Sequence, residues 1–145
     1  MTEYIYKLVN SKKELQDAYK VRKQVFVIEQ GISEDLVFES TGDSTGIDIV
    51  VKDKETVVGT LRVVFSVDNT AKIERMAVLQ NYRQKGIGGN IIKFLHKELR
   101  YRRIKHVFLH AQHQVVPFYK SCGFEEIDIP FNEAGLKHIK MEMYY

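Results

Sequence analysis

The sequence predicts an α/β fold built on a mixed, mostly antiparallel central sheet flanked by helices, in the order β-α-β-β-β-α-β-α-β-β. Three strand-like runs between residues 47 and 78, parted by short polar breaks, indicate an antiparallel meander. Two stretches, near 12–30 and 87–102, carry apolar residues at helical spacing. At 145 residues the chain has the length of one domain, residues 1–145. Its 44% hydrophobic and 28% charged content, with two prolines, excludes disorder and low complexity.

The first strand spans Glu3 to Val9, where Tyr4, Tyr6 and Leu8 alternate with Ile5 and Lys7. Ser11-Lys12-Lys13-Glu14 then reads as a capping box that opens a helix running to about Gln30, where Gly31 ends it. Leu15, Ala18, Tyr19, Val25 and Phe26 form its apolar stripe, and Arg22 and Glu29 lie on the same stripe. Those two are read either as an ion pair two turns apart or as the lining of a substrate pocket, Arg22 gripping a carboxylate or phosphate. Residues 31–46, with Gly42 and Gly46, are expected to be a loop with little structure of its own.

Strands are expected over Ile47–Lys52, Val57–Val67 and Ala71–Val78, with Gly59 marking a bulge. A helix follows from Ile87 to about Arg102, turning Ile87, Ile91, Leu95 and Leu99 inward. Ile104–Ala111 is a β-branched and apolar run, hence a strand, and Val115–Ser121 a short helix with Pro117 in its first turn. Gly123 stops it. A strand over Phe124–Ile129, a turn over Pro130–Gly135 and a last strand over Lys137–Tyr144 complete the chain.

Several function classes are excluded at this stage. One cysteine, Cys122, allows neither a disulfide framework nor a cysteine-rich zinc site, and a small packing residue is its default reading. The start, Met1-Thr2-Glu3-Tyr4, carries no basic region followed by an apolar core, and no apolar run approaches the roughly 20 residues that cross a bilayer. A cytoplasmic protein without a membrane partner is therefore expected. Lysine and arginine (22) exceed aspartate and glutamate (19) by three, a bias that suits an anionic ligand without announcing nucleic acid. The basic run Arg100–His106 sits where a helix C-terminus favours cations, so no nucleic-acid partner is expected. His110 and His113 lie across a strand end with no carboxylate or thiol nearby in sequence, so no metal site is expected. His138, on the last strand, reads as a surface histidine or as a border of a substrate pocket.

The most informative stretch runs from Ile73 to Asn90: a strand, a basic turn with Gly86, Gly88 and Gly89, then a long amphipathic helix. Free amides at a helix start, glycines that admit a ligand to the main chain, and the charges of Arg83 and Lys85 suit phosphates. An ordinary strand-to-helix turn with a basic surface remains the other reading. The spacing matches neither the P-loop nor the three-glycine dinucleotide pattern.

Here the sequence resembles the GNAT superfamily of acyl-CoA-dependent N-acyltransferases. Arg83-Gln84-Lys85-Gly86-Ile87-Gly88 is similar to that family's pyrophosphate signature, Arg/Gln-x-x-Gly-x-Gly/Ala. Phe118-Tyr119-Lys120-Ser121-Cys122-Gly123-Phe124 resembles its Phe-Tyr-x-x-x-Gly-Phe landmark, with Gln112 in place of the preceding glutamine. Arg22-x-x-Val25-Phe26-x-x-Glu29-Gln30 is similar to small bacterial members of the YjcF type.

The resemblance implies acetyl transfer from acetyl-CoA, as co-substrate, to a primary amine of a small molecule, by direct attack in a ternary complex and without a metal. It implies that Arg83, Gln84, Lys85, Gly86, Ile87, Gly88, Gly89 and Asn90 hold the pyrophosphate, and that Met76, Ala77 and Val78 meet the pantetheine arm. Gln112 is placed with the coenzyme. Tyr119 matches the general acid toward the departing sulfur, and Glu74 the glutamate of amino-sugar-phosphate members, a base for the amine. By strand alternation Arg75 is expected on the opposite face from Glu74. Glu74 also admits a plain surface pairing with Lys72, and Tyr119 a packing role beneath Phe118 and Phe124. Glucosamine 6-phosphate is one acceptor suggested by Glu74. Polyamines are another, if Glu34, Asp35, Glu39 and Asp43 make an acidic pocket. The family also pairs as homodimers through sheet edges or the terminal hairpin. The rival class is a CoA-binding sensor without catalysis, which keeps the cradle at 83–90 but needs neither Tyr119 nor an acceptor pocket.

Overall fold

The computed structural model describes residues 3–38 and 46–145. β2 (Gly46–Asp53), β3 (Thr56–Ser66) and β4 (Thr70–Val78) pair as the expected antiparallel meander, and β1 (Tyr4–Leu8) adds antiparallel to the outer side of β2. Lys54, Asp68 and Asn69 take positive φ in the connections, which keeps them tight. β5 (His106–Gln112) lies parallel to β4. β7 (Leu136–Tyr144) is antiparallel to β5, and β6 (Glu125–Glu133) forms the outer edge beyond β7. Among the described residues these strands make one sheet in the order β1-β2-β3-β4-β5-β7-β6.

Helices cover both faces. α1 (Lys12–Arg22) packs Ala18 and Val21 over Val50, Val57 and Ala77. α3 (Ile87–Tyr101) lies on the other face, where Ile87, Ile91, Ile92, Leu95 and Leu99 join Ile49, Val51, Leu61 and Ile73. Full burial of each such side chain contributes about 1.5–3 kcal/mol, so this face anchors α3 and the turn before it. α4 (Val116–Ser121) follows β5, with Pro117 in its first turn as expected.

Four differences from the sequence reading have physical causes. The first helix does not stay α-helical to Gln30: Lys23–Glu29 widens into a π-helical segment, sealed by Gln30 N–H donating to the Val25 carbonyl at 3.2 Å. Val25, Val27 and Ile28 are β-branched and crowd an α-helical turn, and π turns recur where function displaces a helix. Residues 31–46 are not structureless, since α2 (Glu34–Phe38) forms there and Gly46 already opens β2; Gly42, Glu39 and Asp43 lie outside the described residues. The Ser11 half of the capping box forms, its hydroxyl accepting from Glu14 N–H at 3.1 Å, but the Glu14 carboxylate accepts from Asn10 N–H instead. Lastly, Pro130 does not begin the turn. β6 runs through it to Glu133, because an edge strand tolerates a missing donor and the register shift between Ile127 and Phe131 absorbs the misfit. The turn falls on Ala134 and Gly135, both at positive φ.

Two further register shifts, in β2–β3 and β3–β4, shape the sheet near the site. The register shift at Val51 and Lys52 skips Val58, next to Gly59, close to the bulge expected there. A second shift, between Thr60 and Arg62, inserts an extra residue into β4, where Arg75 sits at φ 51°.

Candidate active site

The β4–β5 ladder holds from Thr70↔His106 to Ile73↔Leu109 and then stops, so Glu74–Val78 has no strand partner on its β5 side. The bulge at Arg75 bends β4 away just beyond the last pair. The parting opens a cavity of about 1130 Å³ that passes between the strands and is lined from both faces of the sheet.

On the α3 face the wall is the turn 82–89. Gln84 (φ 62°) and Gly86 (φ 80°) take left-handed conformations, a geometry that gathers successive amides into an anion-binding concavity. Gly86 caps α3 with no side-chain hydrogen bond, so the helix presents its first amides and positive dipole end uncapped. The glycines divide their work. A Cβ on Gly88 would stand 3.1 Å from Phe118 Cζ and 3.4 Å from Met76 Cε, so this glycine lets α3 sit against α4 and β4. A Cβ on Gly89 would meet nothing within 4 Å, and this is the open side. Arg83 donates from Nε to the Val78 carbonyl (2.9 Å) and from Nη2 to Glu29 (3.0 Å). The cavity is lined by Arg83, Gln84, Gly86, Ile87, Gly88 and Gly89 but not by Lys85, whose Nζ lies 5.9 Å from the Tyr82 ring centroid, nor by Asn90.

Met76, Ala77 and Val78 line the cavity from the free stretch of β4, and Tyr119 from α4. The Tyr119 hydroxyl donates to Met76 Sδ at 3.6 Å, and its ring packs edge-on against Phe118 and Phe124. Burial, with a smaller push from Cys122, drives the phenol far above its ordinary pKa, so it stays protonated. Burial likewise raises the Cys122 thiol, only partly offset by Ser121 and Lys93, which leaves it inert.

The α1 face supplies a different wall: Val25 and Phe26 from the π segment, Gln30 just after it, Leu36 and Val37 from α2, and Lys72 and Glu74 from β4. Glu74 Oε2 accepts from Arg75 at 2.6 Å, and Oε1 lies 3.5 Å from Lys72 Nζ. Arg75 is thus beside Glu74 rather than on the opposite face, because the bulge breaks the alternation that would have turned it away. Gln112 lines the cavity and donates to Gln30 at 2.9 Å. His138, of which two readings were open, is buried at this wall, its Nδ1–H held by the Leu136 carbonyl at 2.9 Å.

Arg22 and Glu29 part company. Arg22 is fully buried, pairs with Asp48, reaches Thr60 Oγ1 at 3.4 Å and lies outside the cavity wall. Asp48 also accepts from Arg62 at 3.0 Å. The wide π turn carries Glu29 off Arg22's face, so it pairs with Arg83, and the ion pair expected between the two does not form. The sequence reading missed Asp48, distant in the chain, and Glu133 of β6, which pairs with His138 across the terminal hairpin and with His110 of β5. Among the described residues no cluster of three His, Cys, Asp or Glu is arranged to hold a metal ion, and no helix is long and apolar enough to cross a membrane.

A sheet parted at a bulge, with an uncapped helix start and a left-handed glycine turn lining the gap, suits a pyrophosphate-bearing donor, and Tyr119 lines the same cavity. The uncapped start of α3 and the open side of Gly89 suit such a donor. Residues 16–145 match the family model described as an acetyltransferase (GNAT) domain. The uncharacterized N-acetyltransferase YjcF of Bacillus subtilis is 37% identical over 136 residues, covering 92% of this chain and 95% of that protein. A crystal structure from Lactobacillus plantarum superposes with TM-score 0.90 at 24% identity, covering 97% of each chain. An aminoglycoside 6'-N-acetyltransferase crystallised with coenzyme A gives TM-score 0.79 at 12% identity, covering 97% of this chain and 96% of that one. The chain belongs to the GNAT acetyltransferases and is an acyl-CoA-dependent N-acetyltransferase.

Proposed function

We propose that residues 1–145 act as one N-acetyltransferase domain that moves an acetyl group from acetyl-CoA to a primary amine of a small anionic molecule, by direct attack in a ternary complex. The observation that carries this reading is the gap beyond Ile73↔Leu109, which joins a donor wall on the α3 face to an acceptor wall on the α1 face. The uncapped amides of α3 and the turn from Arg83 to Gly89 hold the pyrophosphate, with Gly89 giving the closest approach. The free edge of Met76–Val78 aligns the pantetheine arm. Bound acetyl-CoA supplies the thioester; what the chain supplies is position and protons. Tyr119, protonated and facing the cavity, donates to the departing sulfur.

The acceptor wall offers both signs of charge, Lys72 and Arg75 around Glu74 and Glu133 from β6, beside the apolar Phe26 and Leu36, which suits an acceptor that carries an anionic group as well as its amine. An amino-sugar phosphate such as glucosamine 6-phosphate has both the amine and the charge. A polyamine would draw on the acidic set Glu34, Asp35, Glu39 and Asp43, but Glu34 pairs with Lys23 and neither it nor Asp35 lines the cavity, and Glu39 and Asp43 lie outside the described residues. Thiol release from acetyl-CoA, followed against amino-sugar phosphates, amino acids and polyamines, tests the reading. Turnover with an anionic amine supports it, and turnover confined to polyamines reverses the acceptor class. Tight coenzyme binding without turnover on any amine replaces the enzyme with an acyl-CoA sensor.

A further inference from the structure

On the acceptor wall the β6–β7 hairpin contributes a carboxylate that neither catalytic expectation used. His110 of β5 lines the cavity, and its Nδ1 lies 3.1 Å from Glu133 Oε1 of β6. A carboxylate only accepts, so Nδ1 carries the hydrogen in the neutral ring and Nε2 carries the lone pair. The Phe131 ring, edge-on to the imidazole at 5.0 Å between centroids, fixes the ring plane. No described protein group bonds Nε2.

We infer that His110 is the general base for the acceptor amine and that Glu133 is the positioning residue that fixes its tautomer, an assignment that rests on the acetyl-transfer reading above. The register supports the placement. Lys72↔Phe108 and Arg62↔Glu74 put Lys72, Glu74 and His110 on the α1 face of the sheet, where the amine enters. Glu74 is the weaker candidate by geometry, since Arg75 occupies one carboxylate oxygen and Lys72 attends the other. His138 is weaker too: its side chain is 7% exposed against 25% for His110, and a backbone carbonyl holds its Nδ1. The charged groups facing His110 are Glu133 from β6, His138 and Lys140 from β7, and Glu74 and Lys72 from β4. Lys140 sits opposite in register but turns its Nζ over the Phe108 ring at 4.7 Å.

In the step, the amine nitrogen bonds to the thioester carbonyl carbon as the carbon–sulfur bond breaks. Nε2 of His110 takes the proton lost from nitrogen, and the Tyr119 hydroxyl gives one to sulfur. The imidazolium proton returns through solvent to the phenolate, so a neutral amine and a thioester become an amide and a thiol with both residues restored.

The test follows thiol release from acetyl-CoA with glucosamine 6-phosphate, spermidine and lysine as acceptors, using the amine that wild type turns over fastest. His110→Gln is expected to lose about a hundredfold in kcat at neutral pH and to lose the acidic limb of the pH–rate profile, with KM for acetyl-CoA unchanged. His110→Ala is expected to regain turnover when imidazole is added. In [15N]histidine-labelled protein the neutral His110 ring should carry its hydrogen on Nδ1. Glu133→Gln should abolish that preference and lower kcat, and Glu133→Asp should restore both. An active wild type whose His110→Gln variant stays within about threefold and keeps its acidic limb overturns the assignment alone. So does a ring protonated on Nε2. A wild type silent with every amine but still binding acetyl-CoA removes the transfer reading and this assignment with it.

Discussion

Replacing Gly89 with leucine separates binding from folding, because the two should move in opposite directions. Gly89 is the third residue of α3 and has open space where a side chain would stand. In a helix interior glycine is about 1 kcal/mol worse than alanine, and leucine ranks close to alanine, so near the helix start the exchange should stabilise by about 0.5 kcal/mol. For a chain of this size that is a rise of about 1–2 °C in Tm. The same side chain projects into the space through which the pyrophosphate would reach the α3 amides. Loss of one charge-assisted hydrogen bond costs about 1.5–3 kcal/mol. Two such losses weaken coenzyme binding by more than about a hundredfold. Calorimetric titration with coenzyme A beside a thermal melt gives both numbers from one preparation. A variant that melts at or above the wild-type temperature and binds coenzyme A as tightly as wild type would refute the cradle. A variant that melts several degrees lower would refute the open space.

Three further expectations rest on different parts of the molecule. Tyr119→Phe removes a buried hydroxyl whose described partner is a thioether, so it should leave the melt nearly unchanged while lowering kcat about a hundredfold; unaltered turnover removes the acid role. Glu14, hydrogen-bonded by Lys7 and by Asn10 N–H, has its pKa lowered to about 2, so its stabilisation is complete above the ordinary carboxylate value and lost as pH falls toward 2. Acid melts of Glu14→Gln should therefore converge with wild type at low pH and diverge near neutrality, whereas parallel curves would contradict the depressed value. Asp48→Ala leaves the fully buried Arg22 without its carboxylate and should cost about 3–5 kcal/mol in a denaturant titration, a change below about 1 kcal/mol showing that the pair carries no such weight.

What was legible in the chain is what depends on short-range pattern. The meander strands, the stripe of α3 and the turn at 83–89 follow from alternation, helical spacing and glycine placement, and all stand where they were read, within a residue or two. What escaped depends on backbone geometry with no residue signature. Nothing in Glu74-Arg75-Met76 marks an arginine at positive φ, yet that one residue parts β4 from β5 and turns Arg75 in beside Glu74. The π turn likewise hides inside a helical pattern, and it redirected Glu29 from Arg22 to Arg83. Pro130 was read as a turn because the edge position that lets β6 pass through it is a tertiary fact. Carrying β6 on to Glu133 then brought a carboxylate 23 residues along the chain onto His110.

The gap between β4 and β5 has an evolutionary consequence. With the donor on the α3 face and the amine on the α1 face, as proposed above, the stretch that would meet the amine shares no residue with the turn that would meet the donor. On that proposal, drift in the π segment, α2 and the terminal hairpin would retune which amine is accepted while the nucleotide handle is inherited intact. The Glu29–Arg83 pair, joining the two halves, is where such drift would first be felt by both.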